Sequence, residues 1–504
     1  MTTNCSLTQL LAAGEPVAAQ HPWPRAVVSS DIWNSLVERL ASGAFTLLGL
    51  WSEPSMVHLA AWEQASGALG IVSLSCPTGY FPSVGRWHPP AIRLERTLAD
   101  LCGFHAEGNL DHRPWLDHGR WPLRHPLGAA QPVEPTVESY PFLPAEGESL
   151  HQIPVGPVHA GIIEPGHFRF TANGETVVRL EERLGYVHKG IERLLVGATL
   201  EHAARLAGRV SGDSTVAYAL AFAQAAEAAT ATDPPPRAHW LRALLAELER
   251  LANHWGDIGA ICNDAAFALM HAHCGVLRER VMRASATCFG HRLLMDVVVP
   301  GGVSTELTAS GMAALRALLA DIRRQFPTLI ELYENTASLQ DRTVGTGKVS
   351  PELVNRFGAG GYIGRASGRD FDARRTPGYP PYDQLRFEIP VLTEGDVDAR
   401  IWIRIREVEQ SLALIEQILD HLPPGSWRGE LANSAGEGVA LVEGFRGDVL
   451  VWLRIADGAV QRCHLRDPSW FQWPLLEAAI EGNIGADFPL CNKSFTCSYT
   501  GHDL

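Results

Sequence analysis

A proline-rich segment divides the chain into two parts of unequal length. Seven prolines fall between Pro126 and Pro157, interleaved with Gly and Glu. Each proline fixes φ and removes a backbone donor, so this stretch predicts an extended connector rather than a helix or a central strand. We therefore predict an N-terminal domain over residues 1–125, a linker over 126–155 and a larger domain over 156–504.

Short-range patterns predict different structures on the two sides of this linker. The run at 68–75 is rich in apolar and β-branched residues, which is typical of a strand, and 92–101 has a helical pattern. Beyond the linker, apolar residues recur at spacings of three and four over 240–255 and 401–419, and the second pattern should stop at Pro423. The predicted fold class is α+β, with a small N-terminal α+β domain joined by the linker to a large, mainly α-helical domain.

Composition and charge exclude several kinds of partner and site. Lys and Arg number 42 against 56 Asp and Glu, a net charge of -14, so nucleic acid is not an expected partner. Nine cysteines are scattered without a Cys-x-x-Cys pair, which favours reduced thiols over disulfides and offers no iron-sulfur motif. The chain shows no apolar stretch of about 18 residues and no signal-peptide pattern, so secretion and membrane spanning are not expected. A link to a membrane would depend on partner subunits.

Several separated motifs resemble one family in the same order along the chain. The runs Gly156–Phe170 and Leu184–Glu192 closely resemble the large subunit of membrane-bound group 4 nickel-iron hydrogenases and the homologous 49 kDa-type subunit of respiratory complex I. The N-terminal part resembles the 30 kDa-type subunit of complex I, and the fused order is that of hydrogenases of the formate hydrogenlyase type. The resemblance implies a hydrogenase-large-subunit-like fold for residues 156–504. Further matching segments are Arg93–Arg96, Asp111–Leu116, Glu249–His254, Gly364–Gly368, Glu443–Gly447 and Leu465–Ser469.

The thiolates that hold nickel in the hydrogenases are missing from this chain. The family carries two cysteine pairs, and the resemblance places Ala207 and Val210 at the first pair and Ser498 and Gly501 at the second. Neither Ala nor Val has a lone pair to donate to a soft metal. We therefore expect no metal ligands and no hydrogenase activity. Two cysteines do lie close to the second pair, Cys491 and Cys497.

The resemblance to complex I is altered in a similar way. The positions of its quinone-contacting His and Tyr correspond to Ile163 and Gly208, which offer no side-chain donor. Other polar residues are the candidates for lining a quinone or acceptor cavity: His159, His167, Ser211 and Tyr218. Alternative interpretations remain open. The pattern also fits two loop histidines whose ring nitrogens are already hydrogen-bonded, and a Ser211 that caps a helix or packs in the core.

Three residues are the candidates for moving protons. Glu164 matches the position of the glutamate that passes protons in the hydrogenases, and burial by neighbours such as Ile162 would raise the pKa of its carboxyl group. The alternative is an ion pair of Glu164 with Arg169 or Arg209. Arg209 and Asp213 are the other two candidates, and their spacing of one helical turn also allows them to pair with each other.

Two functional hypotheses follow from the resemblance. The first is a peripheral-arm subunit of a membrane-bound oxidoreductase complex, without a nickel site, that couples electron transfer to proton or cation translocation. It implies an iron-sulfur small subunit with a 4Fe-4S cluster, antiporter-like membrane subunits and other hydrophilic-arm subunits, at the cytoplasmic face of the inner membrane. Quinone is the acceptor considered, and NAD binding would follow from homology alone. The second hypothesis is a non-catalytic scaffold subunit of such a complex.

Overall fold

The N-terminal part of the chain is a small α+β module. The structure is a computed structural model that describes residues 5–160 and 163–504. In chain order the elements are α1 (Leu7–Ala12), β1 (Glu15–Pro16), β2 (Gln20–His21), β3 (Arg25–Val28), α2 (Ser30–Ala41), β4 (Phe45–Glu53), β5 (Met56–Glu63), β6 (Ala68–Ser75), β7 (Tyr80–Pro82), α3 (Ile92–Cys102) and β8 (His105–Glu107). Five strands form a sheet in the order β1-β3-β6-β5-β4, in which only β3 and β6 are parallel.

The two elements predicted in this module are confirmed. The strand predicted at 68–75 is β6, the central strand of the five. The helix predicted at 92–101 is α3, which ends at Cys102 and is capped by Gly103 with φ 76°. Such a left-handed residue favours glycine, because a side chain there would be strained.

The predicted linker is largely extended and finishes as a strand. The strand just before the linker is β9 (Leu123–Arg124), and those within it are β10 (Gln131–Pro132) and β11 (Leu150–Val155). The hairpin that follows is formed by β12 (His167–Asn173) and β13 (Thr176–Arg183). Strands β9 and β10 pair with each other, whereas β11 is the edge strand of a three-stranded antiparallel sheet with β12 and β13. The connector is therefore hydrogen-bonded to the larger part at its C-terminal end.

The remaining chain is mainly helical. Its elements are α4 (Ile191–Leu195), α5 (Leu200–Ala207), α6 (Thr215–Ala229), α7 (Pro236–Asp264), α8 (Ala268–Phe289), β14 (Val298–Val299), β15 (Gly302–Val303), α9 (Ala309–Glu334), α10 (Ala337–Thr343), α11 (Pro351–Phe357), α12 (Gly361–Ala366), α13 (Val397–His421), β16 (Gly436–Glu443), β17 (Asp448–Ala456), β18 (Ala459–Arg466), α14 (Ser469–Ala479), α15 (Phe488–Phe495) and α16 (Tyr499–Asp503). Helices α7 and α13 confirm the two predicted periodic segments. Within the described residues, no helix has both the length and the apolar character needed to cross a bilayer.

Local chemistry sets the ends of the long helices. Pro236 is the first residue of α7, where its missing N–H costs no helical hydrogen bond. At the start of α13, the side chain of Asp396 accepts a hydrogen bond from the N–H of Ala399, and the helix ends at His421, before Pro423. The apolar faces of both helices are buried in the same core.

A second sheet joins residues from the two ends of the chain. Strands β18, β17 and β16 are antiparallel, and β2 of the N-terminal module pairs with β16 in parallel. The N–H of Glu437 donates to the carbonyl of Ala19 at 2.9 Å, and Arg25 makes a buried ion pair with Glu437. The indole N–H of Trp452 donates to the side chain of Gln20 at 2.8 Å.

The hydrophobic core also crosses the predicted linker. One cluster of buried side chains includes Leu47 of β4, Trp115 of the N-terminal module and Trp473 of α14. Beside it, Arg93 forms an ion pair with Glu477 at 2.7 Å. The small module therefore packs closely on the larger part.

A network of buried charges connects α12, the segment that follows it, α13 and β16. The guanidinium of Arg365 contacts Glu407 at 2.7 Å, Glu443 at 2.9 Å and Asp372 at 3.4 Å. Arg374 contacts Asp372 at 2.7 Å. All five side chains are at most 3% exposed. Burial and the neighbouring Asp372 raise the pKa of Glu443 to about 7, because Arg365 only partly offsets them.

Candidate functional site

The two segments that would carry the nickel cysteines in hydrogenases meet in this structure. The first segment is the turn between α5 and α6, and the second leads into α16. The hydroxyl groups of Ser211 and Ser498 lie 3.1 Å apart and are buried. Ala207 and Val210, which shortly precede Ser211 in the sequence, are fully buried. We refer to the group formed by Ser211, Asp213, Tyr218, Arg446, Asp467 and Ser498 as the polar cluster.

An ion pair between Arg446 and Asp213 dominates the polar cluster. Nη1 of Arg446 donates to Asp213 at 2.8 Å and to the hydroxyl of Ser214 at 3.0 Å, and Nη2 also contacts the Asp213 carboxylate. Nε of Arg446 donates to the carbonyl of Thr496 at 2.5 Å. The side chain of Arg446 is 5% exposed and that of Asp213 is 34% exposed. Arg446 thus links the turn before α6 to the C-terminal segment.

The charges of this pair are strongly fixed. Burial alone would raise the pKa of Asp213, but the guanidinium of Arg446 and hydrogen bonds from Ser211 and Ser214 outweigh it and lower the pKa to about 2. The hydroxyl of Ser211 donates to Asp213 at 2.7 Å. Arg446 and the two serines therefore hold Asp213 as an anion at neutral pH.

A second hydrogen bond closes the inner side of the polar cluster. The hydroxyl of Tyr218, which is fully buried in α6, donates to Asp467 at 2.5 Å. The other carboxylate oxygen of Asp467 accepts from the N–H of Ser469 at 2.8 Å. Burial and the carboxylate of Asp467 raise the pKa of Tyr218 well above its usual value. Tyr218 is therefore a neutral donor.

Gly501 packs directly against these groups. A Cβ atom built at Gly501 would lie 2.7 Å from Cγ of Asp467 and 2.8 Å from Oγ of Ser498. The hydroxyl of Ser498 accepts the N–H of Gly501 at 2.9 Å, which keeps both residues in place. Any larger residue at this position would have to displace the carboxylate or the hydroxyl.

We expect Gly501→Ala to lower the free energy of unfolding by about 1–3 kcal/mol, the usual cost of overpacking a buried site. Gly485→Ala is the matched control, because a Cβ there would meet nothing within 4 Å and φ is not left-handed. Denaturant unfolding followed by tryptophan fluorescence measures both. Equal stabilities of the two variants would contradict the tight packing at Gly501.

Glu164 lies beside the polar cluster but is exposed. Its carboxylate accepts a hydrogen bond from the N–H of Thr500 at 3.2 Å. Partial burial raises the pKa of Glu164. The hydrogen bond from Thr500 lowers this pKa in part, whereas the negative charge of Asp213 raises it further. The ion pairs considered as alternatives, with Arg169 or Arg209, are not formed in the structure, since Arg169 contacts His167 and Gln152. Ile162, the neighbour expected to bury Glu164, lies outside the described residues.

The suggested pairing of Arg209 with Asp213 is wrong. Arg209 instead forms two hydrogen bonds with Asp296, at 2.6 and 2.7 Å, on the surface. The prediction assumed one continuous helix, but α5 ends at Ala207 and the residues up to Ser214 form turns. Arg209 and Asp213 therefore face different partners.

The two candidate histidines hold the hairpin loop that precedes β12. Nε2 of His159 hydrogen-bonds the carbonyl of Gly166 at 2.7 Å, and Nδ1 of His167 hydrogen-bonds the carbonyl of Gly156 at 3.2 Å. Burial lowers the pKa of His167, so this ring is neutral. Both contacts bridge the two ends of the same loop.

The residues of the site do not fit a nickel centre. Within residues 5–160 and 163–504, no group of three or more His, Cys, Asp or Glu side chains is arranged to hold a metal ion. Cys491 and Cys497 are buried, and burial raises the pKa of both thiols, that of Cys491 to about 11.

Sequence reasoning brought Ser211, Asp213 and Tyr218 forward but assigned no role to Arg446 or Asp467. The structure brings these five together. Both missed residues lie in matching motifs, Glu443–Gly447 and Leu465–Ser469, and a charged residue in such a motif was the available signal. Their contacts with Asp213 and Tyr218 span more than 200 residues, which local spacing does not reveal.

Comparisons with known proteins identify the class. Residues 264–434 match the family described as "Respiratory-chain NADH dehydrogenase, 49 Kd subunit". Formate hydrogenlyase subunit 5 of Escherichia coli K12 is 30% identical over 436 residues, covering 84% of this chain and 77% of the relative. The carbon monoxide-induced hydrogenase of Rhodospirillum rubrum is 31% identical, covering 69% and 97%, and an NADH-quinone oxidoreductase component of Desulfotalea psychrophila is 30% identical, covering 68% and 93%.

A solved structure agrees with this class. A chain in the membrane-bound sulfane sulfur reductase, an archaeal respiratory membrane complex, superimposes with a TM-score of 0.67 at 25% identity, covering 71% of this chain and 99% of that one. The fold and the relatives define a subunit type found in oxidoreductase complexes. This chain belongs to the family of complex I 49 kDa-type subunits and group 4 hydrogenase large subunits. The predicted α+β class and the resemblance to this family are both confirmed.

Proposed function

We propose that the chain is a peripheral-arm subunit of a membrane-bound oxidoreductase complex that couples electron transfer to proton or cation translocation without a nickel site. The polar cluster is the observation that supports the absence of a nickel site. In it, Arg446 and Asp213 form an ion pair beside the positions that the resemblance assigns to nickel cysteines. An ion pair, two serines and a closely packed glycine leave no thiolate pair there. The names of the relatives support the assignment to a membrane-bound oxidoreductase complex.

The proposal includes the partners that the family resemblance implies. These are an iron-sulfur small subunit with a 4Fe-4S cluster, antiporter-like membrane subunits and other hydrophilic-arm subunits, at the cytoplasmic face of the inner membrane. The chain itself would supply no ligand to the cluster. Its own contribution would be the shape and charge of the surface around the polar cluster.

Within this proposal, Glu164 is the group that exchanges protons. It is exposed to solvent, its pKa is raised, and its carboxylate is held by the N–H of Thr500. Asp213 supplies a fixed negative charge nearby, and the paired Arg446 keeps that charge constant. Arg209 has no proton to give near neutrality, because Asp296 raises its pKa further.

We expect Glu164→Gln to lower redox-linked ion transport by about tenfold or more, because the amide accepts the Thr500 hydrogen bond but carries no exchangeable acidic proton. Glu164→Asp should retain part of the rate. Glu352→Gln, at an exposed carboxylate in the first turn of α11, is the control. Ion uptake into membrane vesicles during substrate turnover measures the effect. An unchanged rate in Glu164→Gln would rule out the role of this residue.

Quinone binding stays a prediction with a specific obstacle. The hydroxyl of Tyr218 already donates to Asp467, and that of Ser211 already donates to Asp213. The ring nitrogens of His159 and His167 contact backbone carbonyls. A quinone carbonyl would therefore have to replace existing hydrogen bonds to use these four residues.

Copurification tests the proposal against the scaffold hypothesis. The tagged chain would be isolated from mildly solubilised membranes, its partners identified by mass spectrometry, and iron and nickel measured. We expect an iron-sulfur small subunit with antiporter-like subunits, iron at cluster stoichiometry and no stoichiometric nickel. Partners that lack cluster cysteines would favour the scaffold, and one nickel per chain would contradict the site assignment.

A further inference from the structure

A cavity of about 400 Å³ lies between the N-terminal module and the larger part. Its size is within the range of about 300–1,000 Å³ that is typical of small-molecule sites. Its wall is formed by helix α3, the segment from Trp121 to the start of the connector, the segment before and within α4, and the C-terminal residues. The cavity is separate from the polar cluster, since none of the six residues of that cluster lines it.

Most of the cavity wall is hydrocarbon. Helix α3 contributes Leu94, Leu98 and Leu101, β9 contributes Leu123 and the start of the connector contributes Leu127. The ring of Trp121 stacks on that of His188 at a centroid distance of 4.7 Å, which forms a flat aromatic part of the wall. Such a lining favours an elongated apolar group, because binding removes apolar surface from water.

The charge of Glu192 in the cavity wall is neutralised by its neighbours. Glu192 pairs with Arg462 at 2.8 Å and with His464 at 2.8 Å. Burial alone would raise the pKa of Glu192, but these two partners outweigh burial and lower the pKa to about 2. The carboxylate of Asp503 accepts the N–H of Val187 at 3.1 Å and contacts the ring of His502. Burial lowers the pKa of His502, so this ring is neutral and Asp503 keeps one negative charge on the cavity wall.

Two cations stand at the open side. Arg193 and Lys189 line the cavity and are both exposed, and so is Leu194, at 54%. Among the described residues, Arg193 has no ion-pair partner. Nζ of Lys189 donates to the carbonyls of Arg209 and Val210, which are neutral groups, so its charge is also uncompensated by an ion pair.

We propose that this cavity binds an amphiphile that carries a hydrocarbon chain and an anionic headgroup. The chain lies against the leucines of α3 and the connector, and the anion lies at the open side near Arg193 and Lys189. A cationic amphiphile would meet like charge at the opening, and a neutral one would gain only the apolar contact. A long-chain carboxylate and an acidic phospholipid share this chemistry.

Isothermal titration of the purified full-length chain tests the preference for the anion. We expect decanoate to bind at least about tenfold more tightly than decyltrimethylammonium, with decanol between them. Acetate should not bind measurably, because it lacks the chain. Equal affinities for the three decyl compounds, or binding of acetate, would overturn the proposal.

Matched variants test the location. Leu194→Trp should weaken decanoate binding by about tenfold by obstructing the opening, whereas Leu269→Trp, at an equally exposed leucine of α8 outside the cavity, should leave it unchanged. Arg193→Gln should weaken decanoate about threefold and leave decanol unchanged, and Arg406→Gln on the exposed side of α13 is its control. Decanoate binding that is insensitive to both Leu194→Trp and Arg193→Gln would overturn the assignment.

Vesicle cosedimentation separates the two sources of the ligand. If the natural ligand is a membrane lipid, vesicles containing phosphatidylglycerol should bind the chain more than pure phosphatidylcholine vesicles, and Leu194→Trp should reduce that binding. If it is a free carboxylate, decanoate should bind and the vesicles should not. Vesicle binding that Leu194→Trp leaves unchanged, together with no decanoate binding, would overturn the proposal.

Discussion

Replacing Arg365 with methionine should lower the free energy of unfolding by about 5 kcal/mol, the upper part of the range for removing one partner from a buried ion pair. Arg365 is fully buried and faces three carboxylates, those of Asp372, Glu407 and Glu443. Without the guanidinium, these carboxylates would repel one another in a region from which water is excluded. Equilibrium denaturation with tryptophan fluorescence measures the loss.

The pH dependence of the Arg365→Met variant provides a second readout. The pKa of Glu443 is already raised to about 7, above its ordinary value of 4.5, and loss of the Arg365 guanidinium should raise the folded pKa further. Such a group favours folding below the unfolded pKa, and this contribution is lost as the pH rises through the folded pKa. The destabilisation should therefore be larger at pH 8 than at pH 5.

Two further variants make the Arg365 prediction specific. Arg365→Met combined with Glu443→Gln should recover part of the lost stability, because one buried charge is removed with its partner. Arg406→Met, on the exposed side of α13, should change stability by less than about 0.5 kcal/mol. A loss of less than about 1 kcal/mol in the single Arg365 variant would contradict the importance of the network.

Arg446→Gln should lower the free energy of unfolding by about 3 kcal/mol. The guanidinium bridges Asp213, Ser214 and the carbonyl of Thr496, so its removal separates two distant segments of the chain. Asp213 is partly exposed, which keeps the expected loss at the lower end of the range for buried pairs. Arg316→Gln breaks a surface pair with Asp420 and should cost less than about 1 kcal/mol.

The effect of Arg446→Gln should also depend on pH. In the wild type the folded pKa of Asp213 is about 2, below its usual 3.8, so the pair contributes fully above pH 4 and is lost as the pH falls through 2. The stability difference between wild type and variant should therefore be largest at neutral pH and shrink below pH 4. The double variant with Asp213→Asn should be more stable than Arg446→Gln alone. A difference that stays constant down to pH 2 would contradict the assigned charge pair.

Local patterns predicted the regular elements well. The strand at 68–75 and the helices at 92–101, 240–255 and 401–419 were recognisable because one face of each is buried, and burial imposes a period of two or about 3.6 on the sequence. The C-terminal end of α13 followed from Pro423, which acts on neighbouring residues. These are all short-range effects.

The candidate site was predictable only in part. Family motifs pointed to the turn before α6 and to the C-terminal segment, but the pairing within the site depends on contacts between distant residues. Arg209 and Asp213 were assumed to share a helix, and the turn that begins at Gly208 separates their directions. The partner of Asp213 proved to be Arg446, which is 233 residues away.

The parallel pairing of β2 with β16 bears on how the chain is synthesised. Gln20 and His21 emerge from the ribosome early, yet their strand partner at Glu437 and Gly438 follows about 400 residues later. At synthesis rates of roughly 5–20 residues per second, about 20–80 seconds pass between the synthesis of β2 and that of its partner strand. During that time the edge of β2 and the sheet face around Trp51 are not yet covered by β16–β18. Nascent chains are therefore most exposed to misassociation just before the last 70 residues or so are synthesised.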